Sequence, residues 1–322
     1  NVAVGYEAGK SVTTGISNTL MGGFAGDALT TATNNVAIGY AALSGEVAGP
    51  DNVAIGYFAM GSTDNARANV AIGYAALQNL DYDSLTYSHN IGIGFNAGND
   101  ITTGVNNVII GGSAGDALTT GTRNVAIGLN ALGTEDTGSH NVAIGHQALA
   151  VADAGADAYN VAIGSSAGAA VTTGKHNTLI GSLAGDALTT SQYNVAIGYG
   201  ALTAEDSYGK TVAIGYLALA TQNASTDTFN VAIGMEAGKL ISTGIFNTLV
   251  GGQAGDAMTT GNTNVAIGYL ALSAETEGDR NVAIGVGALG VQNNSDTDVY
   301  NVAIGYAAGG AITTGVQNTL IG

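Results

Sequence analysis

The chain has no cysteine, a single proline (Pro50), and only seven lysines and arginines against twenty-four aspartates and glutamates in 322 residues. Without cysteine the redox compartment stays open, since a secreted fibre and a cytosolic protein fit equally well. The formal net charge of −17 argues against a nucleic-acid or anionic-membrane role, because phosphate binding needs clustered cations that are absent. No apolar run approaches the length of a membrane span, and no stretch reads as a signal peptide. The scarcity of proline beside 51 glycines suits a chain that turns at glycine corners, and it is neither collagenous nor low-complexity disorder.

What is present is one short phrase written nineteen times. Asn-Val-Ala-Ile-Gly, or a close variant, restarts at 1, 18, 35, 52, 69, 90, 107, 124, 141, 160, 177, 194, 211, 230, 247, 264, 281, 301 and 318. An interval of seventeen residues is too short for a helical hairpin and fits one turn of a β-solenoid. The expected fold is therefore all-β: a single parallel β-solenoid, one continuous domain over 1–322. At about 4.8 Å per coil it would be a rod on the order of 90 Å long. The chain starts and stops inside repeats, so it reads as a fragment of a longer protein.

With each coil numbered from its Asn, period-two alternation makes positions 1 to 6 a strand. The larger residues at positions 2 and 4 (Val36 and Ile38, Val125 and Ile127) are expected to enter the core, which turns position 3 outward. That outward face carries Ala37, Ala54, Ala126, Ala143 and Ala162, with Leu20, Leu179 and Leu249 in some coils. An apolar stripe of this kind reads as a self-association surface, the alternative being that it covers part of the same chain. Positions 9 and 12 trade volume: Gly at 9 goes with an aliphatic at 12, and Leu at 9 with Glu, Gln or another residue read as lying outside the core. The recurring Asn, including Asn35, Asn124, Asn141, Asn160 and Asn230, is expected to form an amide ladder. Only the coil starting at Thr211 departs from it.

Coil types also recur in order, giving a repeat of about seventy residues in which each fourth coil is extended by two to four residues before the next Asn. Those extensions, with Tyr82, Tyr87, Tyr159, Phe229 and Tyr300 among aspartates such as Asp83, Asp157, Asp227 and Asp296, form the candidate ligand-display row. The Gly-Asp coils place Asp27, Asp116, Asp186 and Asp256 where a calcium-binding glycine-rich roll has its ligand. However, the glycine that motif needs two residues earlier is Ala here, so a turn aspartate is the competing reading. No other cofactor is expected. His89, His140 and His176 sit last before an Asn with no partner at metal spacing, and no nucleophile–base or carboxylate pair recurs, so the chain reads as a non-enzyme. Thr-Thr pairs such as Thr102-Thr103 and Thr172-Thr173 raise an ice-binding array, interrupted by acidic or mixed coils.

The coil motif Asn-Val-Ala-Ile-Gly resembles the YadA-like head repeats of trimeric autotransporter adhesins and the related repeats of phage tail-fibre-like proteins, over the whole chain. The resemblance implies a parallel β-roll, three chains packed together, and an adhesive or spacer role at a cell or virion surface. The expected function is thus an extracellular structural and adhesive fibre segment. Its partners would be further copies of itself and a host-surface glycan or protein, with no nucleic acid and no membrane insertion; a phage tail-fibre shaft and an ice-binding solenoid are the alternatives.

Overall fold

A computed structural model describes residues 1–155, 157–295 and 298–322; the extension residue Asp296 lies outside the described residues. The protein is an all-β parallel solenoid with two compact units, Asn1–Tyr159 and Asn160–Gly322. Every coil contributes one three-residue strand at positions 2 to 4, from Val2–Val4 to Thr319–Ile321. Within each unit successive strands pair parallel and in register, as in Val125↔Val142, Ala126↔Ala143 and Ile127↔Ile144. Like residues therefore stack on like, and every position of the repeat becomes a column.

Each strand ends at the invariant Gly of position 5. Gly128 has φ 134°, and a Cβ there would lie 2.5 Å from the carbonyl oxygen of Gly145 in the next coil, so no side chain fits. Beyond it, positions 7 and 9 and the last residue take left-handed φ, glycine or not: Asn130 54°, Leu132 54° and His140 63° in one stretch. This alternation aims successive N–H groups at opposite neighbours. Asn130 N donates to Gly112 O in the coil before (3.1 Å), and Leu132 N to Ala148 O in the coil after (3.0 Å). An L-residue in this conformation costs about 1–2 kcal/mol, and the inter-coil hydrogen bond that each one gains offsets it.

The parity of the strand is the reverse of the sequence expectation. Position 3 faces the coil interior: Ala37, Ala54, Ala126, Ala143, Ala162, Leu20, Leu179 and Leu249 are all fully buried. These residues cannot form an oligomer interface, and the aliphatics at positions 2 and 4 point outward, half-buried along the row. The cause is volume. Side chains from positions 3, 9 and 12 converge in one narrow interior, and a Cβ on Gly185 would lie 2.8 Å from Leu179 and 2.7 Å from Leu188. A large residue at position 3 also reaches the coil before it, since Leu249 would meet a Cβ on Gly238 at 2.7 Å and one on Gly255 at 3.0 Å. Leu at position 3 thus needs Gly at position 9 in its own coil and in the preceding one, which fixes the order of the coil types.

A second correction concerns position 12. Glu46, Glu135, Glu205, Glu275, Gln222 and Gln292 are fully buried. The Glu46 carboxylate accepts backbone N–H bonds from Val47, Ala48 and Gly49 through Oε1 and from Ala66 through Oε2, at 2.6–3.1 Å. Even so, burial pushes the carboxyls of Glu46, Glu135 and Glu205 above the ordinary range, outweighing the backbone donors.

Asn at position 1 forms the buried polar seam of each unit. Asn124 Nδ2 donates to the Gly138 carbonyl in its own coil (2.8 Å), while its Oδ1 accepts the Asn141 N–H from the next (2.9 Å). Asn35 and Asn230 are placed alike, Asn35 Oδ1 taking the Asn52 N–H and Asn230 Oδ1 the Asn247 N–H. Asn160 Nδ2 bonds Gly174 O at 2.8 Å. At Thr211, where the amide is missing, the Gln222 side chain reaches in, donating to Thr211 Oγ1 (3.1 Å) and accepting from Asn230 Nδ2 (2.8 Å).

Candidate functional site: the outer columns

With position 3 turned inward, the exterior of the strands is a pair of mostly aliphatic columns, Val, Thr or Ile at position 2 and Ile, Val or Met at position 4. In the second unit the isoleucines Ile163, Ile233, Ile267 and Ile304 are more than a third exposed. Beside them runs the side chain that follows the glycine, and in four consecutive coils of the first unit this row is an aromatic stack. Tyr40 stacks on Tyr57 (5.3 Å, 14°), Tyr57 on Tyr74 (5.3 Å, 5°) and Tyr74 on Phe95 (5.1 Å, 15°), all four exposed. Their faces are spent on one another, so their edges meet solvent. Tyr199 and Tyr216 repeat the arrangement in the second unit (5.7 Å, 16°). The aromatic column escaped the sequence reading, although its signal is plain: Ala-Ile-Gly-Tyr recurs at Tyr40, Tyr57, Tyr74, Tyr199, Tyr216, Tyr269 and Tyr306.

A second column lies at the corner just before each Asn. Here the structure brings together cations, aromatics and histidines: Arg67 over the Tyr87 ring (3.5 Å), His140 on Tyr159 (4.7 Å), His176 on Tyr193 (5.1 Å), Lys210 over Phe229 (5.2 Å), Phe229 on Phe246 (5.6 Å) and Arg280 over Tyr300 (5.2 Å). The carboxylates of the extensions meet the same groups: Asp157 lies 3.1 Å from His140 Nδ1, and Asp227 and Asp298 form ion pairs with Lys210 and Arg280. Tyr87, Tyr159, Phe229 and Tyr300 are thus exposed corner residues with ring or cation neighbours, shared with unextended coils at Tyr193 and Phe246. Tyr193, Lys210 and Asp227 also line a small polar recess of about 230 Å³ with Thr190, Gln192 and Ser207.

Tyr82 is not a display residue. It is 5% exposed, and its hydroxyl donates to the Gly104 carbonyl (2.7 Å) and accepts from Asn90 Nδ2 (3.3 Å). The extension that holds it, Asp81–Tyr87, forms a short parallel pair with Asp64–Arg67, and the register shift between them leaves Asp83, Ser84 and Leu85 outside. Thus the first extension fills the core as well as bulging from it.

Of the four Gly-Asp aspartates, Asp27 and Asp116 belong to the first unit and Asp186 and Asp256 to the second. Oδ1 of Asp27, Asp186 and Asp256 is buried without a hydrogen-bond partner, and burial raises the carboxyls of Asp116, Asp186 and Asp256. Ca²⁺ takes six to eight oxygens; among the described residues no three His, Cys, Asp or Glu come together to hold a metal. The threonines at position 13 spend their hydroxyls on the next coil, as Thr119 does on Asp136 O (3.0 Å) and Thr259 on Thr276 O (3.0 Å). No protein-family model matches the chain, and no curated protein sequence matches it significantly.

Proposed function

We propose that this β-solenoid repeat protein is a structural segment of an extracellular, adhesive fibre, in which copies of the chain pack through the outer Val/Ile columns and leave the corner columns for display. The observation that carries the reading is the apolar exterior of the strand. Positions 2 to 6 span about 13 Å, so the nine strands of the first unit's main sheet present roughly 500 Å² and the ten of the second roughly 600 Å². Patches of this size lie at the upper end of the largest that a typical monomer leaves to water, about 300–600 Å² and often functional, and two such faces pairing would bury about 1,000 Å² or more per unit, the lower bound for a specific interface. A second copy suits this face because it offers the same flat, charge-free columns at the same spacing. The resemblance of the coil motif to adhesin-head and tail-fibre repeats supports a role outside the cell.

The test replaces Ile110, Ile127, Ile144, Ile197, Ile214 and Ile267 with lysine. Light scattering coupled to size exclusion should find the parent assembled at micromolar concentration and the variant monomeric with an unchanged circular-dichroism spectrum. A monomeric parent, or a variant that stays assembled, would overturn the packing.

A further inference from the structure

Position 7 of the first five coils reads Glu7, Phe24, Ala41, Phe58, Ala75, so two phenyl side chains stand two coils apart with a methyl between them. The gap is an open recess of about 320 Å³ lined by Phe24, Asp27, Tyr40, Ala41, Ser44 and Phe58. The rings are set as walls rather than as one stack. Phe24 meets Tyr40 nearly at right angles (5.7 Å, 80°), and Phe58 is tilted to Tyr40 by 59° at 6.0 Å. At the rim, the Asp27 carboxylate makes a long contact to Lys10 (3.9 Å), whose ammonium is already engaged by Glu7 (2.6 Å). Together these three charged groups leave one net negative charge.

From this geometry we infer that the recess binds a quaternary ammonium group, held between the Phe24 and Phe58 rings with Asp27 as its counter-charge. A cation midway between rings two coils apart lies about 5 Å from each, within the ~6 Å reach of a cation–π contact. A sugar suits the recess less well. It needs several hydrogen-bonding groups, whereas Ser44 already donates its proton to Gly61 O (2.9 Å) and, of the other lining residues, only Asp27, whose Oδ1 is buried, and the Tyr40 hydroxyl are polar. A methylated ammonium asks for no hydrogen bond at all.

The experiment titrates the full chain with choline and, separately, with 3,3-dimethylbutan-1-ol, its uncharged isostere, following the aromatic proton resonances. Choline should bind saturably in the millimolar range and the alcohol about ten-fold or more weakly, the ratio expected when a ring-bounded cation is worth more than 1 kcal/mol. Ala41→Phe should abolish binding by filling the gap. This residue sits at φ 52°, close to the φ of Phe24 (58°) and Phe58 (54°), so the larger side chain is compatible with the fold. Asp27→Asn should weaken binding several-fold, and Phe95→Ala, on the same unit but outside the recess, should leave it unchanged. Equal binding of choline and the alcohol, undiminished binding by Ala41→Phe, saturable binding of methyl glucoside displaced by Ala41→Phe, or no saturable choline binding would each overturn the assignment. Tyr40 borders both the recess and the proposed packing face, so the titrations are run on dilute, unassociated protein, where the readouts do not depend on whether copies of the chain associate.

Discussion

Replacing Leu249 with Ala tests the packing rule that orders the coils. Leu249 is fully buried and reaches toward two glycines, Gly238 and Gly255, neither of which carries a side chain that could move into the space. The cavity should therefore stay open and the cost should lie toward the upper end of the Leu→Ala range, about 4 kcal/mol. For a cooperative unit of this size that corresponds to a fall in melting temperature of roughly 10 °C. Gly255→Leu alone should also destabilise, because its Cβ would sit 2.8 Å from Met258 Sδ and 3.0 Å from Leu249 Cδ2. The two changes together should recover at least half of the Leu249→Ala loss, since Ala at position 3 with Leu at position 9 is the pairing already present in Ala266 and Leu272. Left-handed φ is no obstacle, as Leu272 itself sits at 55°. Thermal and urea unfolding of the four proteins gives the coupling energy. Additive losses, or a Leu249→Ala cost below about 1 kcal/mol, would show that positions 3 and 9 do not share one space.

Gly128→Ala should be strongly damaging, as should a methyl added elsewhere in the position-5 column. It combines φ 134° with a 2.5 Å approach to Gly145 O, and a loss above roughly 3 kcal/mol, or insoluble protein, is expected; a soluble variant that melts like the parent would contradict the register of the stack. Stability should also be greatest on the acid side. The carboxyls of Glu46, Glu135, Glu205, Asp116, Asp186 and Asp256 are raised by burial, so the folded chain holds their protons more tightly than the unfolded one. Their contribution is complete below the unfolded values of 4.5 for Glu and 3.8 for Asp and is lost as pH rises through the raised folded values. Glu7, Asp227 and Glu236 are shifted down by their lysine neighbours and oppose the trend, but they are solvent-screened surface pairs. Melting temperature should fall between pH 4 and 7.5, and less steeply in Glu205→Gln; a rise over that range would refute the assignment.

The period, a strand after each Asn and the Asn seam were all legible in the sequence, because each recurs at a fixed spacing and stacking turns spacing directly into a column; the strand is shorter than its alternation suggests, three residues at positions 2 to 4 against the six of positions 1 to 6. The parity of the strand was not legible. Residue size suggested that Val and Ile point inward and Ala outward, yet the interior is shared among three positions, and Ala at position 3 leaves room for Leu at position 9. The clue lay in Leu20, Ile109, Leu179 and Leu249, each of which accompanies Gly at position 9. That exchange marks a common space, whereas read one position at a time it looked like an exposed stripe. Glu135 and Glu205 misled for a related reason: their charge suggested solvent, but the carboxylates are met by backbone N–H groups of the turns around them. Tyr82 could not be told from Tyr87 by composition, since the register shift inside the extension decides which of the two is covered.

The absence of native cysteine makes the central claim directly measurable by thiol labelling of single-cysteine variants at neighbouring strand positions, Ala126→Cys and Ile127→Cys, over a range of protein concentrations. If the aliphatic columns are the outer, self-associating face, Ala126→Cys resists labelling in the native state at every concentration. Ile127→Cys should label fast when dilute and become protected as copies associate. Fast labelling of Ala126→Cys, or labelling of Ile127→Cys that is independent of concentration up to assembly conditions, would contradict the account.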